Sequence, residues 1–239
     1  MAGKMNRGVK VVGMELTTIH SRLDFVKSKI FEAAARSGRQ GEEITLVAVT
    51  KTRSESEIMQ ALECGVTDIG ENYVQEAIAK FDSIGNRAKW HFIGHLQRNK
   101  VKQTLKFADL IHSVDSIGLA AEIGKRSIEA AKQTSILLEI NLTGEEAKTG
   151  TSLDRALQFI EETGNIPGIR VCGLMGMAQL TDDPEETRMH FRKLRALFEM
   201  LPKEQQIHLS MGMTQDFEIA IEEGSNMVRI GTAIFGSRN

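Results

Sequence analysis

Lys51 stands directly after ITLVAVT at 44–50, a short, apolar, β-branched run that reads as a buried strand. Lysine is strongly hydrated and costly to bury unpaired, so an amine at this place is unusual. Desolvation lowers a lysine pKa and leaves a free amine near neutrality, the form that condenses with a carbonyl. A lysine at a strand end can also snorkel into water. Much later, Ser210 and Gly212 in LSMGM (209–213), and Gly231 and Thr232 after MVRI, pair hydroxyls with glycines that allow close backbone approach. Thr232 can open a short helix whose free amides favour an anion. Glycine and serine also mark ordinary turns, and neither pair is specific alone. Together with Lys51 they describe a phosphorylated aldehyde bound as an imine. Arg229 lies two residues before Gly231 and shares its strand parity. It therefore enters the same side about 6–7 Å deeper, from two rises of about 3.3 Å. Its structural alternative is a pairing with a barrel carboxylate such as Glu139.

The elements that position these residues alternate. Leu16, Ile19, Leu23, Val26, Ile30 and Ala33 step by three and four along one face of a long helix ending near Ser37-Gly38. Strands are predicted at 44–50, 66–72, 90–94, 110–115, 135–142, 169–177, 206–211 and 227–231, each followed by a helix or a helix start. Ser54 and Glu57 form a capping box for the first of these helices. Pro184 sits in the first turn of another, capped by Asp182 or Asp183. The segment LQRNKVKQTLKFA (96–108) reads as a basic helix. Near-continuous apolar strands suit a parallel sheet buried on both faces, and eight βα units of about 30 residues fill a (β/α)8 barrel. A doubly wound open sheet has the same alternation. However, no G-x-G-x-x-G follows the first strand, and TAIFGSRN is too short for a covering helix. The N-terminal helix can fill that gap only if the last strand lies beside the first. The expected fold is a single α/β chain: a TIM-type barrel over 14–239 with an extra N-terminal helix, after a flexible extension at 1–13.

With 239 residues, 41% hydrophobic, 26% charged and a net charge of −2, the chain is neither disordered nor strongly basic. No bulk charge advertises nucleic acid, and no apolar run approaches the roughly 18 residues of a membrane span. Cys64 and Cys172 match no zinc or disulfide pattern, and the first residues lack a signal-peptide core, so a cytoplasmic setting is expected. His91 and His95 have H-x-x-x-H spacing without an adjacent Glu, which fails as a zinc-protease motif. Structural roles suit them better, although His91 can also face the barrel mouth. Arg98, Lys100, Lys102 and Lys106 lack aromatic interleaving and read as a solvated helix face. Met175, Met177, Met211 and Met213 are most simply barrel filler, although adaptable apolar walls also suit a flat ring.

AVTKT (48–52), IGENYVQE (69–76), WHFIGHLQRNK (90–100), LSMGM (209–213) with DF (216–217), and VRIGTAIFG (228–236) resemble the pyridoxal phosphate homeostasis protein family. The resemblance spans about residues 14–239. It implies a barrel similar to the alanine racemase N-terminal domain, binding pyridoxal 5′-phosphate (PLP) as an internal aldimine. By motif match, Lys51 resembles the Schiff-base lysine and Arg229 the arginine at the pyridine nitrogen. Ser210, Gly231 and Thr232 resemble phosphate contacts, and Asn72 and Met211 complete the implied cofactor set. Thr50 and Thr214 depart from a serine in many relatives but keep a hydroxyl. The resemblance implies a monomeric carrier or regulator of PLP and amino-acid balance without an established reaction, with PLP-dependent apoenzymes as possible recipients.

Two other readings stay open on the residues. A PLP enzyme of racemase or decarboxylase kind needs a second base opposite the lysine. The one tyrosine, Tyr73, is expected at the mouth of strand 2, whereas racemases of the resembling fold draw theirs from a second β domain. A class I aldolase using Lys51 would take its phosphate from substrate and would be colourless.

Overall fold

The computed structural model describes residues 10–11, 14–145, 149–179, 181 and 183–237. Lys10–Val11 pairs antiparallel with Met14–Glu15; the rest of the predicted extension lies outside the described residues. Eight parallel strands follow: β1 (Thr45–Val49), β2 (Asp68–Glu71), β3 (Lys89–Phe92), β4 (Leu110–Val114), β5 (Thr134–Asn141), β6 (Ile169–Met177), β7 (His208–Ser210) and β8 (Met227–Ile230). β8 pairs with β1, and β4 pairs with β5, so the sheet closes on itself. A short segment, Thr151–Ser152, adds to the exit of β5. The open-sheet alternative is thereby excluded.

The helices are α1 (Ile19–Arg36), α2 (Glu55–Glu63), α3 (Val74–Ile84), α4 (Val101–Thr104), α5 (Ile117–Glu129), α6 (Ala156–Gly164), α7 (Pro184–Glu199), α8 (Phe217–Glu222) and α9 (Thr232–Phe235). Helix α1 buries Leu23, Val26, Ile30 and Ala33, and packs on α2, α8 and α9. It occupies the place that four-residue α9 cannot cover. Ser54 caps α2 with Glu57 in a reciprocal box, and Asp183 caps α7. The basic helix at 96–108 is much shorter than its composition predicted: a 3-10 turn at Arg98–Lys100, then α4, then turns. Leu105 and Ala108 would share a helix face, but Phe107 is buried as well, and a residue at i+2 does not face the same way as i. The helix after β5 likewise begins at Ala156, behind a 3-10 turn at Leu153–Arg155.

Strand alternation divides the core in two. One large cluster lies between strands and helices, with Ala48, Ile69, Phe92, Ile111, Leu138 and Val228 among its members. A small one, Val47, Leu110, Leu137, Cys172, Met175 and Met227, fills the barrel lumen. Cys172 and Met175 share that face despite odd spacing because the β5–β6 register shifts between Ile136 and Leu138, the local signature of a bulge. The lumen also holds buried polar groups: Asp68, His91, His112, Glu139, Ser210 and Arg229.

Candidate functional site

The floor of the barrel mouth is Arg229. Met227 faces the lumen, so Arg229, two residues on, does too. Its Nη1 donates to the Ser210 carbonyl at 2.9 Å and hydroxyl at 2.6 Å, and Nη2 donates to the Gly176 carbonyl at 3.3 Å. Burial lowers the guanidinium pKa to about 10, against the pull of Asp216 and Glu139. It therefore stays charged at neutral pH. The pairing with Glu139 that a purely structural arginine called for is not what holds it. Glu139 accepts instead from the Thr149 hydroxyl, and burial pushes its carboxyl up.

Lys51 stands on the neighbouring strand, since β1 pairs with β8 and Val47 is in register with Arg229. Thr45, Val47, Val49 and Lys51 share one parity, and Val47 lies in the lumen, so Lys51 continues the inward row, half-buried. Its turn is pinned from the other side. The Thr50 hydroxyl donates to Glu71 Oε1 at 2.6 Å, and Lys80 Nζ donates to the Thr50 carbonyl and to Glu71 Oε1, both at 2.7 Å. Lys80 also reaches Glu76 Oε1 at 2.7 Å, and that carboxylate takes the Thr52 amide. Thr52 has φ 62°, a left-handed conformation that costs a β-branched residue about 1–3 kcal/mol and needs such support. Burial raises the Glu71 carboxyl despite Lys80 and Thr50.

Asn72, at the exit of β2, has a buried side-chain oxygen with no hydrogen-bond partner. Burying an acceptor unpaired costs about 1–3 kcal/mol, so this atom suits a ligand group. A Cβ on Gly94 would fall 2.2 Å from the Asn72 carbonyl; only glycine lets the loop after β3 lie against Asn72. On the far side, the Arg229 amide donates to Gly212 O at 3.0 Å. Beyond Gly212 the chain leaves the ladder in a turn, with the Met213 amide donating to Asp216 Oδ1 at 2.6 Å. A Cβ on Gly231 would meet Val49 Cβ at 3.2 Å, so backbone crosses the lip closely there. Thr232 is exposed as the first residue of α9.

Lys51, Asn72, Arg229, Gly231 and Thr232 thus gather at the C-terminal mouth. Ser210 and Met211 lie deeper than these five. Ser210 is fully buried with its hydroxyl engaged by Arg229 and by His112 Nδ1 at 3.1 Å, and it supports the guanidinium from below. Met211 has the opposite parity, and its side chain packs in the helix-facing core. Its amide donates to Met227 O and its carbonyl accepts from Ser225, so it presents nothing to the mouth. His91 likewise lies low in the barrel, with Nε2 2.8 Å from Asp68, and does not reach the mouth. Sequence reading missed the Glu71–Lys80–Glu76 clamp, whose only signal is Glu76 and Lys80 four apart on α3, and the demand for glycine at 94.

A closed parallel barrel with a lysine leaving its first strand and an arginine inside its last is a barrel of alanine-racemase type. The family "Alanine racemase, N-terminal domain" matches residues 26–239, and Corynebacterium glutamicum alanine racemase shares the fold at TM-score 0.65 and 16% identity, covering 90% of this chain and 62% of that one. The pyridoxal phosphate homeostasis protein of Aquifex aeolicus is 41% identical over 91% of this chain and 97% of its own. That of Escherichia coli K12 is 36% identical over 94% and 98%. The chain belongs to the pyridoxal phosphate homeostasis protein family. PipY of Synechococcus elongatus, whose structure is described with PLP bound, superposes at TM-score 0.80 with 28% identity, over 92% of this chain and 100% of that one.

Proposed function

We propose that this protein holds PLP on Lys51 and serves intracellular vitamin B6 and amino-acid homeostasis. PLP supplies an aldehyde that condenses with a primary amine with loss of water. Lys51 offers that amine. Gly231 and Thr232 take the phosphate at the lip. Arg229 donates from the floor to the ring nitrogen, and Asn72 accepts with its unpartnered oxygen. The observation that carries this reading is Arg229: a buried cation on uncharged partners, facing the mouth from the strand that ends in Gly231.

Arg229 also suits holding PLP better than stabilising a carbanion, without by itself excluding racemase chemistry. It is donor-only and remains protonated at neutral pH, so it bonds an unprotonated pyridine. Such a ring is a weaker electron sink than a pyridinium. Tyr73 is 56% exposed, poorly placed as a desolvated second base. The protein thus works as a cytoplasmic, monomeric carrier and not as a racemase or decarboxylase, handing PLP to dependent apoenzymes. The free thiols Cys64 and Cys172 suit that compartment. An absorbance spectrum of the PLP-titrated protein, before and after adding amino acids, tests this. A Lys51-dependent chromophore without sustained product formation supports it. Turnover at about 1 s⁻¹ or more, an ordinary enzymatic rate, that Lys51→Ala abolishes would make it an enzyme.

A further inference from the structure

A line of hydrogen bonds crosses the barrel beneath Arg229. Ser210 Oγ lies 3.1 Å from His112 Nδ1, His112 Nε2 lies 2.9 Å from His91 Nδ1, and His91 Nε2 lies 2.8 Å from Asp68 Oδ1. All four side chains are buried. The line ends at the N-terminal face, where Asp68 and His91 border a cavity of about 320 Å³ also lined by Lys89, Asp109, Arg170 and His208. Nothing in holding PLP at the mouth requires a polar chain to the opposite face. Filling a lumen is done more cheaply by apolar side chains, as Val47, Leu137 and Met227 do.

The chain has a direction. Ionised Asp68 accepts from His91 Nε2–H. A neutral His91 must then accept at Nδ1, from His112 Nε2–H. His112 accordingly accepts at Nδ1, from the Ser210 hydroxyl, which leaves Ser210 Oγ to accept from Arg229. One carboxylate thus orients every proton up to the guanidinium. The opposite polarity requires one added proton: His91 then carries both N–H groups, and His112 keeps a single one, moved to Nδ1. Ser210 would then accept from both His112 and Arg229 and turn its own proton away. The charged and titratable groups around the two rings are Asp68, Lys89, Asp109, Arg170, His208 and Arg229. Burial, then His91, Arg229 and His208, holds His112 neutral.

We propose that Asp68, His91 and His112 are positioning residues for the cofactor's ring end, acting through Ser210 on Arg229 and coupling the mouth to the cavity on the opposite face. The proposal rests on PLP occupying the mouth as described above.

The PLP-loaded full-length protein tests it with two variants on the same cavity. Asp68→Asn removes the carboxylate that orients the chain. Asp109→Asn changes a neighbouring carboxylate whose Oδ2 accepts from the Trp90 amide at 2.8 Å and which lies outside the chain. Asp68→Asn is expected to release PLP about three- to tenfold faster, the effect of one weakened hydrogen bond, and to shift the pH profile of the bound chromophore. Asp109→Asn should match the parent in both. Equal effects from the two variants, or none from Asp68→Asn, overturn the proposal. Should Asp68→Asn not fold, histidine ring ¹⁵N spectra of the parent decide: His112 and His91 signals must change on PLP loading, and unchanged signals overturn it. The absence of any Lys51 adduct in the parent overturns the PLP reading and this one together, whereas an adduct with unresponsive histidines overturns this one alone.

Discussion

Arg229 and Ser210 are joined twice, since one guanidinium nitrogen donates to both the carbonyl and the hydroxyl of the serine, at 2.9 and 2.6 Å. This fixes the arginine at the floor of the mouth and accounts for its depth relative to Gly231. Arg229→Gln keeps a donor for Ser210 but shortens the reach and removes the charge. PLP retention should fall about ten- to a hundredfold, as expected from losing a charge-assisted bond of roughly 1.5–3 kcal/mol. Equilibrium dialysis against PLP measures this, with urea unfolding to show that the fold survives.

The turn that presents Lys51 depends on a buried cation. Lys80→Met leaves Glu71, fully buried, without its counter-ion and should cost about 3–5 kcal/mol. Adding Glu71→Gln should recover part of that loss. Urea denaturation of the two variants checks the sign, and slower borohydride trapping of PLP in the double variant would show the loosened turn.

Gly94→Ala places a methyl against the Asn72 backbone, where a Cβ would lie 2.2 Å from the carbonyl oxygen. Backbone must shift, with an overpacking cost of roughly 1–3 kcal/mol. Because Asn72 moves with it, PLP retention should fall along with the thermal midpoint. A variant that lost neither would separate Gly94 from the site.

The buried histidine predicts acid lability. Burial keeps His112 far below its usual pKa of 6.5, so the folded protein leaves it neutral while the unfolded chain takes up a proton. The unfolded state therefore binds more protons below pH 6.5, and stability falls as pH drops from there towards the lowered folded value. The slope from this one group is about 1.4 kcal/mol per pH unit. Urea unfolding at pH 7, 6 and 5 should show it, and His112→Gln should flatten the slope while lowering stability at pH 7.

Much of this architecture was legible because parallel strands buried on both faces are written as apolar runs. ILLEIN and RVCGLMGM could hardly be anything else. The closure was inferable from a shortage: α9 has no length to cover β8, and α1 has an apolar stripe that needs a place. Strand ends were overread, since residues such as Thr50 and Asn72 continue the pattern beyond the last ladder bond. Ser210 and Met211 face opposite ways for one physical reason. Parity sends one inward beneath Arg229 and the other outward to the helices, and the motif LSMGM alone does not say which. His112 went unread although LIHSV carries it two residues from Leu110, on the same inward face. A single histidine in an apolar strand gives no hint of the partners that four other strands bring to it.

The central claim is that Lys51 carries PLP, and covalent trapping tests it most directly. The protein is loaded with PLP, reduced with borohydride, digested and mapped by peptide mass. The pyridoxyl adduct should lie on the peptide containing Lys51, and Lys51→Ala should abolish both adduct and chromophore while the fold persists. An adduct concentrated on Lys100, Lys102 or Lys106, or one undiminished in Lys51→Ala, would contradict the account.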